Sequence, residues 1–128
     1  MSHVEKKTYT ILSEVGLEGK GNVLVKSLSQ GDKRLLEIGL ALGTDPKILL
    51  LDEPTAGVSE QETKGIIQLI KSLSSKYTII FIEHDIEMVM SVAEKITVLH
   101  QGSILAEGDP GEIRKNQDVQ SVYLEGLQ

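Results

Sequence analysis

The chain has 128 residues, a formal net charge of −6, 40% apolar and 25% charged residues, 3% aromatic residues and no cysteine. This length and balance are typical of one globular domain with an aliphatic core, and they exclude a fold held together by disulfides. The acidic charge and the presence of only two arginines argue against nucleic-acid binding, and no apolar run is long enough to span a membrane.

The first third of the sequence predicts two helices joined by a turn. Residues at helical spacing precede Gly16, a residue type that commonly ends a helix. They are Val4, Thr8, Ile11, Leu12 and Val15. Residues 19–22 are typical of a surface turn. Ser29, with Asp32 three residues later, predicts the capped start of a second helix, which ends before Asp45 and Pro46.

A strand, a helix and a second strand follow. Residues 48–51 form a continuous apolar run, the pattern of a strand buried on both faces of a parallel sheet. Ser59 and Glu62 form a capping box at the start of a helix that runs to Leu73, and residues 78–82 form a second apolar run. This order predicts a βαβ unit with parallel strands and a right-handed crossover.

The rest of the sequence predicts shorter elements. Asp85 caps a short helix, and residues 96–99 and 103–106 flank Gln101 and Gly102 in the pattern of a β-hairpin. Pro110 begins another helix, and a last one follows Asp118. On the first and last of these helices, the side chains expected to face inward are Ile86, Val89, Val92, Val119, Val122, Tyr123 and Leu124. The predicted fold class is therefore α/β.

The strongest candidates for chemistry stand where the two apolar strands end. Asp52 and Glu53 follow the first strand, and His84 lies two residues beyond the second. Ligands of parallel sheets bind at the carboxyl ends of the strands. There Asp52 could hold Mg²⁺ through water, and Glu53 could orient or deprotonate an attacking water. A structural interpretation stays open for each. Asp52 and Glu53 could be a pair of solvated acids that begins a loop, and His84 could make an ordinary hydrogen bond.

The start of the second helix offers a place for an anion. Backbone N–H groups and the positive end of the helix dipole at Ser29 and Gly31 favour a phosphate, and the glycine permits close approach. Capping by Ser29 alone accounts for the same residues, and a cap can also face a phosphate.

Together these motifs resemble the ABC ATPase family. In that family a signature LSGGQ at a helix start precedes an apolar strand that ends in D-E-P-T, and a histidine follows the next strand. Residues 28–32, residues 51–57 and His84 match these motifs in order and spacing. Gln30 and Asp32, which replace a glycine and the glutamine of the signature, resemble variants found in branched-chain amino-acid and urea importers. Further resemblance to that branch lies in residues 35–38, 98–102, 105–108 and 122–126.

The resemblance implies roles for individual residues. It implies that Asp52 serves Mg²⁺, Glu53 the attacking water and His84 the γ-phosphate of ATP. Across a head-to-tail dimer, further residues would contact ATP held by the opposite subunit or couple the two sites. These residues are Ser29, Gln30, Gly31, Asp32 and Gly57.

One motif of the family is missing from the sequence. A Walker A loop has the pattern G-x-x-x-x-G-K-[ST], in which the backbone and the lysine hold the phosphates. Only Gly19 precedes a lysine, and Gly21 rather than Ser or Thr follows Lys20. Residues 1–128 are therefore expected to be the carboxyl-terminal portion of an ABC ATPase nucleotide-binding domain. This would be a partial P-loop three-layer sandwich with parallel core strands and a carboxyl-terminal hairpin, without the Walker A half or the glutamine loop.

The expected function is that of a fragment of the ATP-hydrolysing subunit of an importer, for branched-chain amino acids or urea. Mg²⁺ and ATP would bind the intact parent, and the chain alone would be inactive. The alternative is a non-catalytic interaction module that keeps the fold. A DNA-repair ATPase is disfavoured because no coiled-coil arm precedes the signature.

Expected partners are a homologous ATPase subunit and membrane permease subunits at the cytoplasmic face, with no nucleic acid.

The absent half also has a consequence for assembly. In the family that the sequence resembles, the strand leading into Walker A lies between the strand before the histidine and the hairpin that follows it. Its absence would leave residues 78–82 with an unpaired edge, and unpaired edges recruit other strands. Either residues 96–99 pair directly with that edge, or a segment of a second copy fills the gap. Self-association is the expected outcome, because a short helix tethers the hairpin.

Overall fold

A computed structural model describes residues 1–124 and divides the chain into two units, Met1–Glu83 and His84–Gln128. The first unit contains α1 (His3–Glu14), a 3₁₀ turn (Val25–Ser27), α2 (Gln30–Leu42), β1 (Ile48–Asp52), α3 (Glu60–Leu73) and β2 (Thr78–Ile82). The second contains α4 (Ile86–Val92), β3 (Ile96–His100), β4 (Ser103–Gly108), α5 (Pro110–Lys115), α6 (Gln117–Val119) and a π-helical turn (Gln120–Leu124). Of the residues that resemble the importer branch, Glu125 and Gly126 lie outside the described part.

The predicted helices of the first unit are confirmed, and their starts follow from side-chain caps. The Ser29 hydroxyl accepts a hydrogen bond from the Asp32 N–H at 3.0 Å. Ser59 and Glu62 form the predicted capping box at the start of α3. Gly16, with a φ of 84°, follows the end of α1 in a left-handed conformation that glycine adopts without strain. Val4 and Thr8 lie in α1 as their spacing predicts, and their side chains are exposed.

The two apolar strands pair in parallel, as predicted, with Ile48 opposite Thr78 and Asp52 opposite Ile82. The prediction that both faces of these strands are buried is wrong. Leu49 is buried, whereas the side chains that alternate with it are exposed. The exposed fractions are 54% for Ile48, 74% for Leu50, 55% for Ile80 and 64% for Ile82. These four side chains form what we call the open face, which no described residue buries.

The covered face of the sheet belongs to the core of the first unit. Leu49 is 2% exposed and clusters with buried side chains of α2, of α3 and of the segment that follows α1, while Leu51 and Ile79 pack against the cluster. The other buried members are Val15, Leu17, Ile38, Leu42, Leu69 and Leu73. This packing fixes the end of β1 relative to the starts of α2 and α3.

The second unit contains the predicted hairpin. β3 pairs with β4 in antiparallel fashion around Gln101 and Gly102, whose φ values of 49° and 78° are those of a tight hairpin turn. A small core of Ile96, Ile113 and Val119 joins the hairpin to α5 and α6.

Three details of the second unit differ from the expectation. Met88 is the buried residue of α4. The last helix begins at Gln117 and is capped by Asn116, because the Asn116 side chain accepts from the Val119 N–H at 3.1 Å. Val122 is 39% exposed rather than buried. The side chain of Leu124 lies outside the described part.

The sheet topology also rules out one route of assembly. In the described residues β2 pairs with β1 and β3 pairs with β4, so the direct pairing of residues 96–99 with 78–82 is wrong. Among the helices of residues 1–124, none combines the length and apolar character needed to cross a bilayer.

Candidate functional site

Asp52 and Glu53 stand at the carboxyl end of β1. Asp52 is exposed, and strand alternation puts it on the open face with Leu50 and Ile82. The Glu53 N–H donates to the Ile82 carbonyl at 2.8 Å, which extends the ladder one residue beyond the strand. Glu53 has a φ of 45°, a region that residues other than glycine seldom occupy. The backbone therefore changes direction at the predicted catalytic carboxylate.

The turn that begins at Glu53 is held from two elements. The Ala56 N–H donates to the Glu53 carbonyl at 3.0 Å, which closes the turn. From the end of β2, the Glu83 carboxylate accepts from the Thr55 N–H at 3.0 Å and from the Thr55 hydroxyl at 2.6 Å. From α2, Arg34 Nη2 donates to the Ala56 carbonyl at 3.3 Å. Gly57 follows, exposed and with a φ of 74°.

The start of α2 is occupied by a carboxylate from α3. Glu62 Oε1 accepts from the Gly31 N–H at 3.2 Å, and Glu62 Oε2 accepts from the Ser59 N–H at 3.1 Å. A Cβ atom on Gly31 would lie 2.6 Å from Glu62 Cδ, so any other residue here would push the flexible Glu62 side chain away from the start of α2. The Ser29 hydroxyl, and then the Ser59 N–H, lower the pKa of Glu62 because they bond its ionised form.

Asp32 and Gln30 occupy different surroundings at the same helix start. The Asp32 carboxylate forms an ion pair with Lys20 from the preceding loop. Gln30 is exposed. Lys20 lies in the segment predicted as a surface turn, and its positive charge offsets the negative charge that Asp32 introduces into the signature segment.

His84 belongs to the second unit. It is exposed and immediately precedes Asp85, whose side chain caps α4 by accepting from the Met88 N–H at 3.1 Å. The expectation that His84 shares a ligand with Glu53 stays a prediction.

The donor set decides what kind of magnesium site is possible. Within residues 1–124 no group of three or more His, Asp or Glu side chains is placed to hold a metal ion. Mg²⁺ is commonly bound through one or two carboxylates together with water and substrate phosphates. Asp52 fits such a site as a single protein ligand. It does not fit an all-protein cage.

Three residues that hold the site were not singled out from the sequence. Glu83 only follows an apolar run in the sequence, Glu62 is predicted only as part of a capping box, and Arg34 is only one of two arginines. Their partners lie 22 to 31 residues away in the sequence. No local sequence pattern shows that a capping residue such as Glu62 also accepts a hydrogen bond from a distant helix. Only the folded structure reveals such contacts.

The "ABC transporter" family model matches residues 3–56, and a "branched-chain amino acid ATP-binding cassette transporter" model matches residues 103–124. A solved ATP-binding cassette of an ABC transporter, in its ADP conformation, superposes with a TM-score of 0.87 at 29% identity and covers 97% of this chain and 51% of its own. cbiO1 from Clostridium perfringens, part of the ABC transporter complex cbiONQ, superposes with a TM-score of 0.81 at 28% identity, over 96% of this chain and 51% of its own.

In sequence and fold the chain is thus similar to ABC transporter ATP-binding cassettes, and the α/β fold class is confirmed. Within that class it is 44% identical over 117 residues to the high-affinity branched-chain amino acid transport ATP-binding protein LivG of Salmonella typhimurium, and equally to LivG of Escherichia coli. It is 44% identical over 115 residues to BraF of Pseudomonas aeruginosa. These matches cover 90% and 88% of the chain but 46% and 45% of the relatives. The chain therefore spans about half the length of the curated relatives it matches.

Proposed function

We propose that the chain supplies the carboxyl-terminal half of the ATP-hydrolysing subunit of an importer for branched-chain amino acids or urea. One observation carries the proposal: Asp52 and Glu53 end a parallel strand, in a turn that is hydrogen-bonded to the helix of the signature segment. The 44% identity to LivG and BraF supports the branched-chain amino-acid branch over urea.

The proposed roles follow from the positions of the side chains. In the complete cassette, bound Mg²⁺ neutralises charge on the phosphates of ATP. Asp52 holds that ion, Glu53 orients and deprotonates the attacking water, and His84 hydrogen-bonds the γ-phosphate. The φ of 45° at Glu53 turns the backbone out of the strand at the residue to which this proposal assigns the attacking water.

The nucleotide-contacting residues serve the opposite subunit of a head-to-tail dimer. The Ser29 hydroxyl and the Gly31 N–H are donors suited to a phosphate oxygen. The Gly31 N–H also bonds Glu62, so a phosphate that uses this donor must displace or share that carboxylate. The flanking residues Gln30 and Asp32 border this site, and Gly57 couples it to the turn of Glu53.

The chain needs partners for this function, because its sequence has no Walker A loop. The proposed partners are the amino-terminal half of a cassette, a homologous ATPase subunit and permease subunits that hold the assembly at the cytoplasmic face of a membrane. By itself the chain binds neither ATP nor Mg²⁺ tightly. It self-associates through the open face, whose four exposed aliphatic side chains favour a partner surface.

A second candidate function is a non-catalytic interaction module. The open face favours it as well, because a module that docks on a full-length ATPase needs an apolar surface and no phosphate loop. The two candidates differ in whether Glu53 matters. A catalytic half requires this carboxylate, whereas a docking module does not.

The decisive experiment joins the whole chain to the amino-terminal half of LivG and measures ATPase activity. We expect turnover in the joined protein. Glu53→Gln lowers turnover about 100-fold or more, with ATP binding unchanged, because it removes the general base but keeps the shape of the side chain. Glu18→Gln is the matched control, since Glu18 is an exposed glutamate outside the site. Full activity of Glu53→Gln would favour the docking module.

A further inference from the structure

Glu83 makes a contact that neither its place in the sequence nor the proposed roles account for. It follows β2 directly, and one of its oxygens, Oε1, accepts two hydrogen bonds from Thr55. The Thr55 N–H lies 3.0 Å from this oxygen and the Thr55 hydroxyl 2.6 Å from it. Thr55 stands two residues after Glu53, inside the turn that the Ala56 N–H closes.

The backbone at Glu53 requires support of this kind. Its φ of 45° is sparsely populated for a residue with a side chain, and such conformations persist only where their surroundings fix them. The end of β2 provides two neighbouring anchors: the Ile82 carbonyl accepts from the Glu53 N–H, and the Glu83 carboxylate accepts from Thr55. The turn is thereby held on both sides of Pro54, which is itself buried.

A carboxylate such as that of Glu83 is chemically suited to hold the turn. An ionised carboxylate accepts hydrogen bonds about twice as strong as those a neutral group accepts. A threonine offers a backbone and a side-chain donor on one residue, so a single oxygen fixes both the path of the turn and the rotamer of Thr55. Both residues are partly shielded from water, which strengthens the contact.

We propose that Glu83 is the positioning residue of the catalytic turn, which holds Thr55 so that the Glu53 carboxylate keeps one orientation. Glu83 does not touch the nucleotide or the water in this assignment. It acts through the backbone of residues 53–56. The effect on turnover rests on the proposed function, whereas the effect on the turn does not.

The first test uses the whole chain and measures amide hydrogen exchange by NMR. Glu83→Ala increases the exchange rate of the Thr55 amide roughly tenfold or more, because it removes the acceptor of a charge-assisted bond. Glu83→Gln gives a smaller increase, since its amide oxygen still accepts, and Glu18→Ala gives none. If Glu83→Ala does not fold, Thr55→Val tests the same link: it removes only the hydroxyl and increases exchange of the Thr55 amide by a smaller factor. Unchanged Thr55 exchange in Glu83→Ala, or in Thr55→Val if the first does not fold, overturns the proposal.

The second test uses the whole chain joined to the amino-terminal half of LivG. Glu83→Ala lowers kcat roughly tenfold and leaves the KM for ATP within about twofold, because the turn and not the nucleotide contact is disturbed. Glu83→Gln recovers most of the kcat, because its amide oxygen still accepts hydrogen bonds from Thr55. A residue that only maintained the fold would not need a hydrogen-bond acceptor at this position to support turnover. A wild-type kcat in Glu83→Ala overturns the positioning role. An inactive wild-type joined protein instead counts against the proposed function, and the exchange measurement then decides the role of Glu83 alone.

Discussion

The two faces of the β1–β2 sheet have almost the same composition and opposite surroundings. Leu49, Leu51 and Ile79 face the core of the first unit, whereas Ile48, Leu50, Ile80 and Ile82 form the open face. Aliphatic residues on both faces are the pattern of a strand inside a larger parallel sheet. The contrast therefore indicates that these strands are built for more covering structure than the described residues supply.

The largest expected difference in stability between the two faces comes from a pair of matched substitutions in β1. Leu49→Ala lowers the free energy of unfolding by about 2–5 kcal/mol, because it removes buried methyl groups and leaves a cavity. Leu50→Ala, one position along the same strand, changes it by less than about 0.5 kcal/mol at low protein concentration, since its side chain is 74% exposed. Urea denaturation of both variants measures the difference. Equal losses would mean that the open face is covered in solution.

A second test asks what covers the open face at high concentration. Light scattering over a wide concentration range is expected to show self-association of the chain through this face. Leu50→Lys weakens the association at least about tenfold, because burial of its charge in an apolar contact is unfavourable. Leu40→Lys is the control, since Leu40 is 69% exposed on α2 and outside the sheet. A chain that is monomeric at every concentration contradicts this prediction.

A third test concerns the carboxylate that links α2 and α3 on the covered side. The pKa of Glu62 is lowered from its ordinary value of 4.5 by the Ser29 hydroxyl and the Ser59 N–H. The folded state therefore favours the ionised form, so the stability that Glu62 contributes is complete above its ordinary pKa and is lost as the pH falls through its lowered value.

Denaturation of the wild type and of Glu62→Gln at several pH values measures this loss. The difference in stability between the two proteins is expected to be constant above pH 4.5 and to narrow below it. Gln61→Ala is the control, because Gln61 lies on the same helix and does not titrate. The difference in stability between the wild type and Gln61→Ala is therefore expected not to narrow through protonation of the substituted side chain. A constant difference for Glu62→Gln down to strongly acidic pH would show that the carboxylate is not held in solution.

The smallest expected effect is nucleotide binding by the chain alone. Asp52 lies on the open face, and the sequence holds no phosphate loop to complete its site. Calorimetry with MgATP should therefore show a dissociation constant no tighter than about 1 mM, or no binding. Micromolar affinity that Asp52→Ala abolishes would show that the chain holds the nucleotide without its missing half.

Much of the fold could be predicted because its signals are local. Ser29, Ser59 and Asp109 begin their helices with side-chain caps, and Gln101-Gly102 forms the hairpin turn. The two apolar runs predict parallel strands, and the register of β1 and β2 confirms this prediction. The predicted burial of both strand faces was wrong, since apolarity reports what a side chain is suited to contact and not whether that contact is present.

The sequence by itself determined the element order, the capped helix starts, and the placement of Asp52 and Glu53 at the end of a strand. The tertiary structure alone decided which strand face is covered. It also decided that Glu83 holds Thr55 and that Glu62 bonds the start of α2. The physical reason is the range of the interactions. Caps and turns depend on residues within about four positions, whereas these contacts join residues 28 and 31 positions apart that only the packing of the helices on the sheet brings together.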